Sequence, residues 1–189
     1  MADALLVNAA ILVGVVLALW LVSLWIGDVS FIDAFWGIGM AMLALISWLH
    51  VPGGAAGPLS TLLMAMTVIW GGRLGIYLFL RWRKEGEDKR YERILRKDRE
   101  KGRFAIAALY KIWLGQAVLL FITCLPAQLG ILSGGEAIAA QPLVWAGVAL
   151  WAVGMVFEGV GDWQLARFLA DPASKGKVMD SGLWRYTRH

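Results

Sequence analysis

Five ionisable side chains lie inside or beside long apolar stretches of the sequence, where a charge is costly. They are Asp28, Asp33, Arg73, Glu158 and Asp162. Ionisable residues at membrane depth usually face the interior of a helix bundle or a water-filled cavity, and a spacing of four places Glu158 and Asp162 on one face of a helix. These residues predict a polar pocket that holds a charged or polar ligand. A structural alternative is that Arg73 pairs with one of the acids and holds two helices together.

Other kinds of catalytic site have little support. The only histidines are His50 and His189, which are too few for a metal site and give a Ser/His/Asp hydrolase little basis. Cys124 is the only cysteine, so neither a disulfide framework nor a cysteine-based metal site is available. The sequence also has no GxGxxG loop after a strand and no Walker loop. We expect no bound metal.

The elements that position the five charges are membrane-spanning helices. Hydrophobic residues make up 59% of the 189 residues, whereas soluble domains contain about 45–50%. A helix needs about 20 apolar residues to cross the hydrocarbon layer. Five runs reach about that length, at residues 5–26, 31–49, 59–80, 104–129 and 142–161. The predicted fold class is therefore all-α: a multi-pass transmembrane helical bundle of five spans, in one membrane domain over residues 1–189.

Lysine and arginine predict the orientation. Residues 81–103, called here the basic segment, contain eleven basic and six acidic residues, and five more basic residues follow residue 161. The loops at 50–58 and 130–141 contain no Lys or Arg. Because cytoplasmic loops carry the excess of Lys and Arg, we predict that the basic segment and the C-terminal tail are cytoplasmic and that the N-terminus lies outside. Arg73 then lies about 12 Å inward from the cytoplasmic rim.

Two interpretations of the basic segment stay open. Its charge alone is typical of a solvated loop on the positive side of the membrane. A short helix on the membrane surface is the alternative, because Glu92 and Arg96 have the spacing of a helical ion pair and Tyr91, Ile94 and Leu95 form a small apolar face. The six acidic residues dilute the positive charge, so we expect no nucleic-acid partner.

Three stretches of the sequence occur in an order that resembles a known family. "DVSFIDAFWGIG" opens the second span, "WGGRLGIYLFLRWRKEGEDKRY" runs from the third span into the basic segment, and "FEGVGDWQLARF" with "GLWRYTRH" runs from the fifth span to the end. Together they resemble the branch of small bacterial membrane proteins classed with the steroid 5-alpha-reductase C-terminal domain, over nearly the whole chain. The resemblance implies a multi-pass helical protein of the bacterial inner membrane.

The resemblance also implies an activity. Family members with known activity bind NADPH in a cavity that faces the cytosol, and they reduce a carbon–carbon double bond conjugated to a carbonyl. We therefore expect an NADPH-dependent oxidoreductase that takes a steroid-like or other enone lipid from the bilayer. Hydride transfer to the β-carbon builds negative charge on the carbonyl oxygen, which a tyrosine or a neutral carboxylic acid stabilises as a hydrogen-bond donor. Arginine suits the phosphates of NADPH because its planar guanidinium makes bidentate bonds.

Individual residues receive roles from the same resemblance. Asp162 matches the family's acid at the cytoplasmic end of the helix before the terminal motif, and residues 163–189 form the cytoplasmic start of the cofactor motif. Arg73, with Arg81 and Arg83, falls where family arginines approach the cofactor. The catalytic candidates are Asp33 and Glu158, and the cofactor-binding candidates are Arg73, Arg81, Arg83, Asp162, Arg167, Tyr186, Arg188 and His189.

Two alternatives to the reductase stay open. Membrane methyltransferases that act on isoprenylcysteine or phospholipid headgroups share a related C-terminal motif and bind S-adenosylmethionine. The family's terminal motif also continues after Arg-His with Pro-Asn-Tyr and Gly-Glu, which this chain lacks. We therefore expect a fragment that stops within its own site, or else an inactive structural piece of the membrane. For Tyr77 and Tyr91, packing or interfacial anchoring is the favoured role.

Overall fold

The computed structural model describes residues 1–51, 53, 56–134 and 141–187. These residues contain helices and no strand, and five of the helices are long and apolar enough to cross a membrane. The predicted fold class, an all-α bundle with five spans, is thereby confirmed. The chain divides into two compact units, Met1–Ile138 and Ala139–His189, called here the N-terminal unit and the C-terminal unit. Which side of the membrane each end occupies stays a prediction.

Three long helices open the N-terminal unit. Helix α1 comprises Ala2–Ile26, α2 comprises Ile32–Leu49 and α3 comprises Pro58–Glu85. Gly27 ends α1 with a φ of 77°, a left-handed conformation that glycine adopts without strain. Proline opens α3 because its missing N–H needs no partner in the first turn of a helix. The third helix extends beyond the predicted span, since its hydrogen-bonding pattern continues where the side chains become charged.

The basic segment contains a helix, α4, at Lys89–Glu100. The side chain of Asp88 caps it by accepting a hydrogen bond of 2.8 Å from the backbone N–H of Arg90, which satisfies one of the N–H groups that the first turn leaves open. Tyr91 and Leu95 are buried on one face of α4 and belong to the main apolar core. Ile94, predicted to lie with them, is exposed. Two of the three apolar residues of α4 therefore pack this helix against the rest of the N-terminal unit.

The fourth span is a composite helix. It begins with α5 at Phe104–Ala108, passes through a π-helical turn at Leu109–Trp113 and continues as α6 at Leu114–Leu132. Trp113 is fully buried in the π-helical turn, where its indole N–H donates a 3.1 Å hydrogen bond to Ser23 Oγ of α1. Its ring centroid lies 5.2 Å from that of Phe31. The turn thus joins the fourth span to α1 and to the start of α2.

Glycines bring α2 and α3 into close backbone contact. A Cβ atom built on Gly37 would lie 2.8 Å from the backbone nitrogen of Gly75, and closer still to the carbonyl oxygen of Gly71. Small residues of this kind are the usual means by which membrane helices approach one another. The contact holds α3 in a fixed register against α2, and the charged residues at the end of α3 are positioned by it.

One polar group of residues lies inside the apolar core. The side-chain amide of Asn8 in α1 donates hydrogen bonds of 2.7 Å to Ser47 Oγ of α2 and to Gln128 Oε1 of α6. All three residues are fully buried. Polar side chains at membrane depth need such partners, so the trio links three spans at the end of the unit opposite α4.

The C-terminal unit consists of one long helix and a folded tail. Helix α7 comprises Pro142–Ala170 and is followed by two short 3₁₀ turns, Pro172–Ser174 and Gly182–Tyr186. The helix continues beyond residue 161, where the predicted fifth span ends. The second 3₁₀ turn packs back on α7, because the indole N–H of Trp184 donates a 2.8 Å hydrogen bond to the carbonyl oxygen of Gly161.

Candidate functional site

Polar residues of the N-terminal unit gather where α1 turns into α2. Asp28 is buried in this turn, and its two oxygens accept hydrogen bonds of 2.7 Å from the backbone N–H of Ser30 and from the indole N–H of Trp82. Ser30 Oγ in turn accepts a 2.8 Å bond from the backbone N–H of Asp88. The turn is therefore tied both to the end of α3 and to the start of α4, and Asp28 has a defined structural role.

Asp33, a predicted catalytic residue, lies beside this turn in the first turn of α2. Its Oδ1 accepts a 2.5 Å hydrogen bond from the hydroxyl of Tyr91, and its Oδ2 accepts a 2.7 Å bond from the guanidinium of Arg90. Burial, and next this hydrogen bond to Asp33, raise the pKa of Tyr91 above its ordinary value. Both oxygens of Asp33 are thus used as acceptors by residues of α4.

A cleft of about 310 Å³ opens next to Asp33. Its walls come from the start of α2, the end of α3 and the residues before α4. Arg81 lines it and lies 3.7 Å from Glu85 and 3.9 Å from Asp88. Hydrogen bonds from Arg90 are the main cause that holds the pKa of Asp88 below its usual value. Burial raises the pKa of Glu87, although Arg99 donates hydrogen bonds to it.

Arg73 and Arg83 occupy different surroundings on α3. Arg73 is half-buried, and the centre of its guanidinium lies 5.9 Å from the ring centroid of Tyr77, one helical turn further on. Arg83 is exposed near the end of the helix. Of the three arginines of α3 predicted to bind the cofactor, all of them described by the structure, Arg81 is the one that lines the cleft beside Asp33.

The C-terminal unit has a cleft of its own, of about 320 Å³. Glu158 and Asp162 project into it from α7, as their spacing predicts. The opposite wall is formed by the folded tail, through Leu183, Trp184 and Thr187. Since the walls combine two carboxyl groups with apolar side chains, this cleft can accept hydrogen bonds from hydroxyl or amide groups of a ligand and pack against its apolar part.

The tail is held over α7 by specific contacts. Gln164 Oε1 accepts a 2.9 Å hydrogen bond from the backbone N–H of Leu183. Gly182 precedes it with a φ of 62°, and a Cβ there would lie 2.5 Å from the Gln164 side chain. Together with the bond from Trp184 to Gly161, these contacts fix the outer wall of the cleft.

Two further candidates of the C-terminal unit lie outside the cleft walls. Arg167 is exposed on α7, and its guanidinium stacks on Trp163 with 4.8 Å to the ring centroid. Tyr186 is exposed at the end of the second 3₁₀ turn. The last two candidates, Arg188 and His189, lie outside the described residues.

The structure thus brings the predicted residues together in two groups, one in each unit: Asp33 with Arg81, and Glu158 with Asp162. Sequence reasoning missed the partners that complete these groups. The sequence favours packing or interfacial anchoring for Tyr91, yet its hydroxyl donates a hydrogen bond to Asp33. Trp184 also gave no sign of its contact with α7. The nearest signal for Tyr91 is its position in the quoted "GEDKRY", where Asp88 binds Ser30 and Arg90 binds Asp33.

Comparison with known proteins gives a family without an assigned activity. A family model described as a protein of unknown function (DUF1295) matches residues 19–189. No curated protein and no solved structure matches the chain.

Proposed function

The chain belongs to the DUF1295 family, whose function is unknown, and we propose that it is a membrane oxidoreductase that uses NADPH. The proposed reaction reduces a carbon–carbon double bond conjugated to a carbonyl group in a lipid or steroid-like substrate. The resemblance of its three sequence stretches to the steroid 5-alpha-reductase group suggests this chemistry. The observation that carries the proposal is the cleft of the C-terminal unit, between the carboxyl groups of Glu158 and Asp162 and the folded tail.

The cleft suits one part of a dinucleotide in size and in chemistry. Binding pockets for small molecules measure about 300–1,000 Å³, so a cleft of about 320 Å³ accommodates one portion of such a cofactor. A ribose offers hydroxyl groups and a nicotinamide offers a carboxamide, and both donate hydrogen bonds that the carboxylate of Asp162 can accept. Phe157 and Leu183 supply apolar surface on the two sides of the cleft.

Two basic residues lie close in sequence to residues of this cleft and can bind the phosphates of NADPH. Arg167 lies five residues after Asp162 on α7, and Arg185 follows Trp184 in the tail; both are exposed. A guanidinium binds a phosphate with two parallel hydrogen bonds. The residues of the C-terminal unit therefore fit NADPH through acceptors for its sugar and amide groups and donors for its phosphates.

NADPH would supply a hydride to the β-carbon when bound, and water would supply the proton that the α-carbon then takes up. The protein must stabilise the negative charge that develops between these two steps. That charge develops on the carbonyl oxygen of the substrate, where a positioned hydrogen-bond donor lowers the barrier. We place Glu158 beside the reacting carbonyl group, since it lines the cleft from α7 one helical turn before Asp162. Asp33 is already bound by Tyr91 and Arg90, so we assign to it the positioning of α4.

A methyltransferase is the second candidate, because the same carboxyl groups would attract a cation. S-adenosylmethionine carries a positive sulfonium and also a ribose diol, and both are compatible with Glu158 and Asp162. The phosphate-binding role of Arg167 and Arg185 favours NADPH, which is strongly anionic. The two candidates therefore differ in the ligand charge that the C-terminal unit selects.

Ligand-dependent melting of the detergent-solubilised chain tests the proposal. The protein is heated with NADPH, NADH or S-adenosylmethionine, because a ligand that binds only the folded state raises the melting midpoint. At a concentration of about 100 times Kd the stabilisation is about 2.7 kcal/mol, which corresponds to about 5–10 °C for a chain of this size. We expect this rise with NADPH, and a smaller one with NADH because it lacks the 2′-phosphate.

The matched variants are Asp162→Asn and Asp180→Asn, which remove one carboxylate each. Asp180 is exposed in the tail and does not line the cleft between α7 and the folded tail. The NADPH-dependent rise should shrink in Asp162→Asn and persist in Asp180→Asn. A rise with S-adenosylmethionine alone would replace the reductase by the methyltransferase, and no rise with any of the three ligands would contradict a cofactor site in this cleft. Consumption of NADPH upon addition of an enone lipid then tests the reaction itself.

A further inference from the structure

The exposed face of α3 changes from apolar to basic near the end of the helix. Ile69, Ile76 and Leu80 are exposed along it, and Arg83 is exposed three residues after Leu80. Spacings of seven, four and three residues place these four side chains on one face of the helix. An exposed apolar face of a membrane-spanning helix is the face that contacts lipid tails. Arg83, and Lys84 beside it, therefore stand where this lipid-facing stripe ends.

The same change occurs at the start of the fourth span. Ile106 and Tyr110 are exposed on α5 and the π-helical turn. Arg103 is exposed three residues before Ile106, and the spacings of three and four again define one face. Tyrosine is enriched at the boundary between membrane and water. Arg103 thus adjoins a second lipid-facing stripe at the basic end of the N-terminal unit.

Trp25 marks the membrane boundary independently at this end. It lies in the last turn of α1 and is 89% exposed, as expected for a tryptophan anchored at the level of the lipid headgroups. Arg99 of α4 donates a 2.8 Å hydrogen bond to the carbonyl oxygen of Gly27, two residues later. Helix α4 and its flanking residues are therefore at the level of the headgroups or just above it.

Three of the six acidic residues of the basic segment are half-buried and paired. Glu87 pairs with Arg99, Asp88 pairs with Arg90, and Asp98 accepts a 2.7 Å bond from Lys111. Glu85, Glu92 and Glu100 are exposed, and so are ten of the eleven basic residues, which leaves a positive excess on the outside. Arg83, Lys84 and Arg103 have no ion-pair partner among the described residues, and all are exposed.

We propose that Arg83, Lys84 and Arg103 form a rim that binds the headgroups of anionic phospholipids. The lipid tails would lie along the exposed apolar stripes of α3 and of the fourth span, and the phosphate groups would contact the basic residues at the ends of the stripes. Clusters of Lys and Arg next to a membrane helix attract anionic lipids in this way. The rim assigns Arg83 to the membrane interface, not to the cofactor, and it does not depend on the proposed reductase activity.

Lipid selectivity in nanodiscs tests the rim. The full chain is reconstituted in phosphatidylcholine, and spin-labelled phosphatidylglycerol and spin-labelled phosphatidylcholine are compared as probes of the lipid shell around the protein. We expect wild type to prefer phosphatidylglycerol. The preference should fall at least about fivefold in the triple variant Arg83→Gln, Lys84→Gln, Arg103→Gln. A fall of this size is the effect of about one basic residue near an anionic surface. High salt should weaken the preference as well.

The control variant removes three positive charges from α4: Arg93→Gln, Arg96→Gln and Lys97→Gln. These residues are exposed and lie away from the buried face of Tyr91 and Leu95. The control should keep the preference to within about twofold. The charge-retaining variant Arg83→Lys, Lys84→Arg, Arg103→Lys should keep it as well. Equal losses in both triple variants would refute a rim, since the attraction would then come from net charge alone.

Two other results would also overturn the rim. One is the absence of any lipid preference in wild type. The other result combines two observations. Lipid selectivity stays unchanged in the rim variant, and binding of polyphosphate, a soluble polyanion, is lost in the α4 variant. Folding of each variant is checked by its melting midpoint, and the single variants Lys84→Gln and Arg103→Gln replace the triple variant if its midpoint falls.

Discussion

Replacing Tyr91 by Phe removes one hydroxyl group from the contact that fixes α4. Tyr91 is 5% exposed, and its hydroxyl donates a 2.5 Å hydrogen bond to Asp33 Oδ1. Phenylalanine keeps the ring and its packing, so the variant isolates the hydrogen bond. Asp33 retains the guanidinium of Arg90 as a partner. The change therefore measures how strongly the start of α2 holds α4 through a single polar contact.

The expected change in the free energy of unfolding follows from the burial of this hydrogen bond. A hydrogen bond to a charged group contributes about 1.5–3 kcal/mol to stability. The ion pair of Asp33 with Arg90 contributes less, because the side chain of Arg90 is 63% exposed and exposed pairs contribute about 0–1 kcal/mol. We therefore expect Tyr91→Phe to lower the free energy of unfolding by about 1.5–3 kcal/mol. Tyr110→Phe, whose ring is 73% exposed, is the matched control and should change it by less than about 0.5 kcal/mol.

A double-mutant cycle with Asp33→Asn provides the assay. Unfolding of wild type, both single variants and the double variant is followed in mixed micelles with increasing denaturing detergent. The coupling free energy between Tyr91 and Asp33 should reach about 1.5–3 kcal/mol, the range for residues that share a strong hydrogen bond. A coupling below about 0.5 kcal/mol is typical of independent sites, and that result would refute the assignment of Asp33 as the anchor of α4.

The pH dependence gives a second readout with a defined sign. Burial and the bond to Asp33 raise the pKa of Tyr91 in the folded protein, so the stabilisation is fully present below the pKa of an unfolded tyrosine, about 10. Above that pH the unfolded chain loses the proton while the folded protein keeps it, and stability falls by up to about 1.4 kcal/mol per pH unit. Wild type should therefore lose stability above about pH 10 faster than Tyr91→Phe, and parallel curves would contradict the contact.

Two further predictions concern the packing of the spans. Gly37→Ala forces a Cβ to within 2.8 Å of the backbone of Gly75 and should lower the free energy of unfolding by about 1–3 kcal/mol. Gly72→Ala, which has open space at its Cβ, should leave it unchanged or raise it by up to about 1 kcal/mol; equal effects in denaturing detergent would contradict the close approach. Gln128→Leu removes an acceptor of Asn8 and should lower the free energy of unfolding by about 0.6–1.7 kcal/mol. Adding Asn8→Leu should make the effect of Gln128→Leu smaller, and an unchanged effect would argue against a coupled pair.

The bundle itself could be predicted from the sequence because each span is a local property. A run of about 20 apolar residues has few alternatives to a membrane helix. The ends of the helices were less predictable, since a span ends where polar side chains begin, while a helix ends where a cap such as Gly86 interrupts the hydrogen bonds. Helix α3 and helix α7 both continue past their predicted spans for this reason.

The two groups of site residues differed in how far the sequence could predict them. Glu158 and Asp162 face one cleft because their spacing of four is a helical repeat, and the tail that covers them follows within the same unit. Asp33 and Tyr91 are 58 positions apart, and their contact depends on the register of α4 against the first turn of α2. Nothing local in either stretch specifies that register. The glycine contact between α2 and α3, also distant in sequence, contributes to setting it.

The basic segment shows that the number of charged residues predicts the charge of a surface less well than knowing which of them are exposed. Its eleven basic and six acidic residues describe a diluted positive loop, and nothing in their order along the chain separates the two signs. In the fold, Glu87, Asp88 and Asp98 are half-buried and paired with Arg99, Arg90 and Lys111, whereas the other three acids are exposed. The outer surface keeps a positive excess that the total charge conceals. The three half-buried acids stabilise α4, whereas the residues proposed to bind anionic phospholipids, Arg83, Lys84 and Arg103, lie outside that helix.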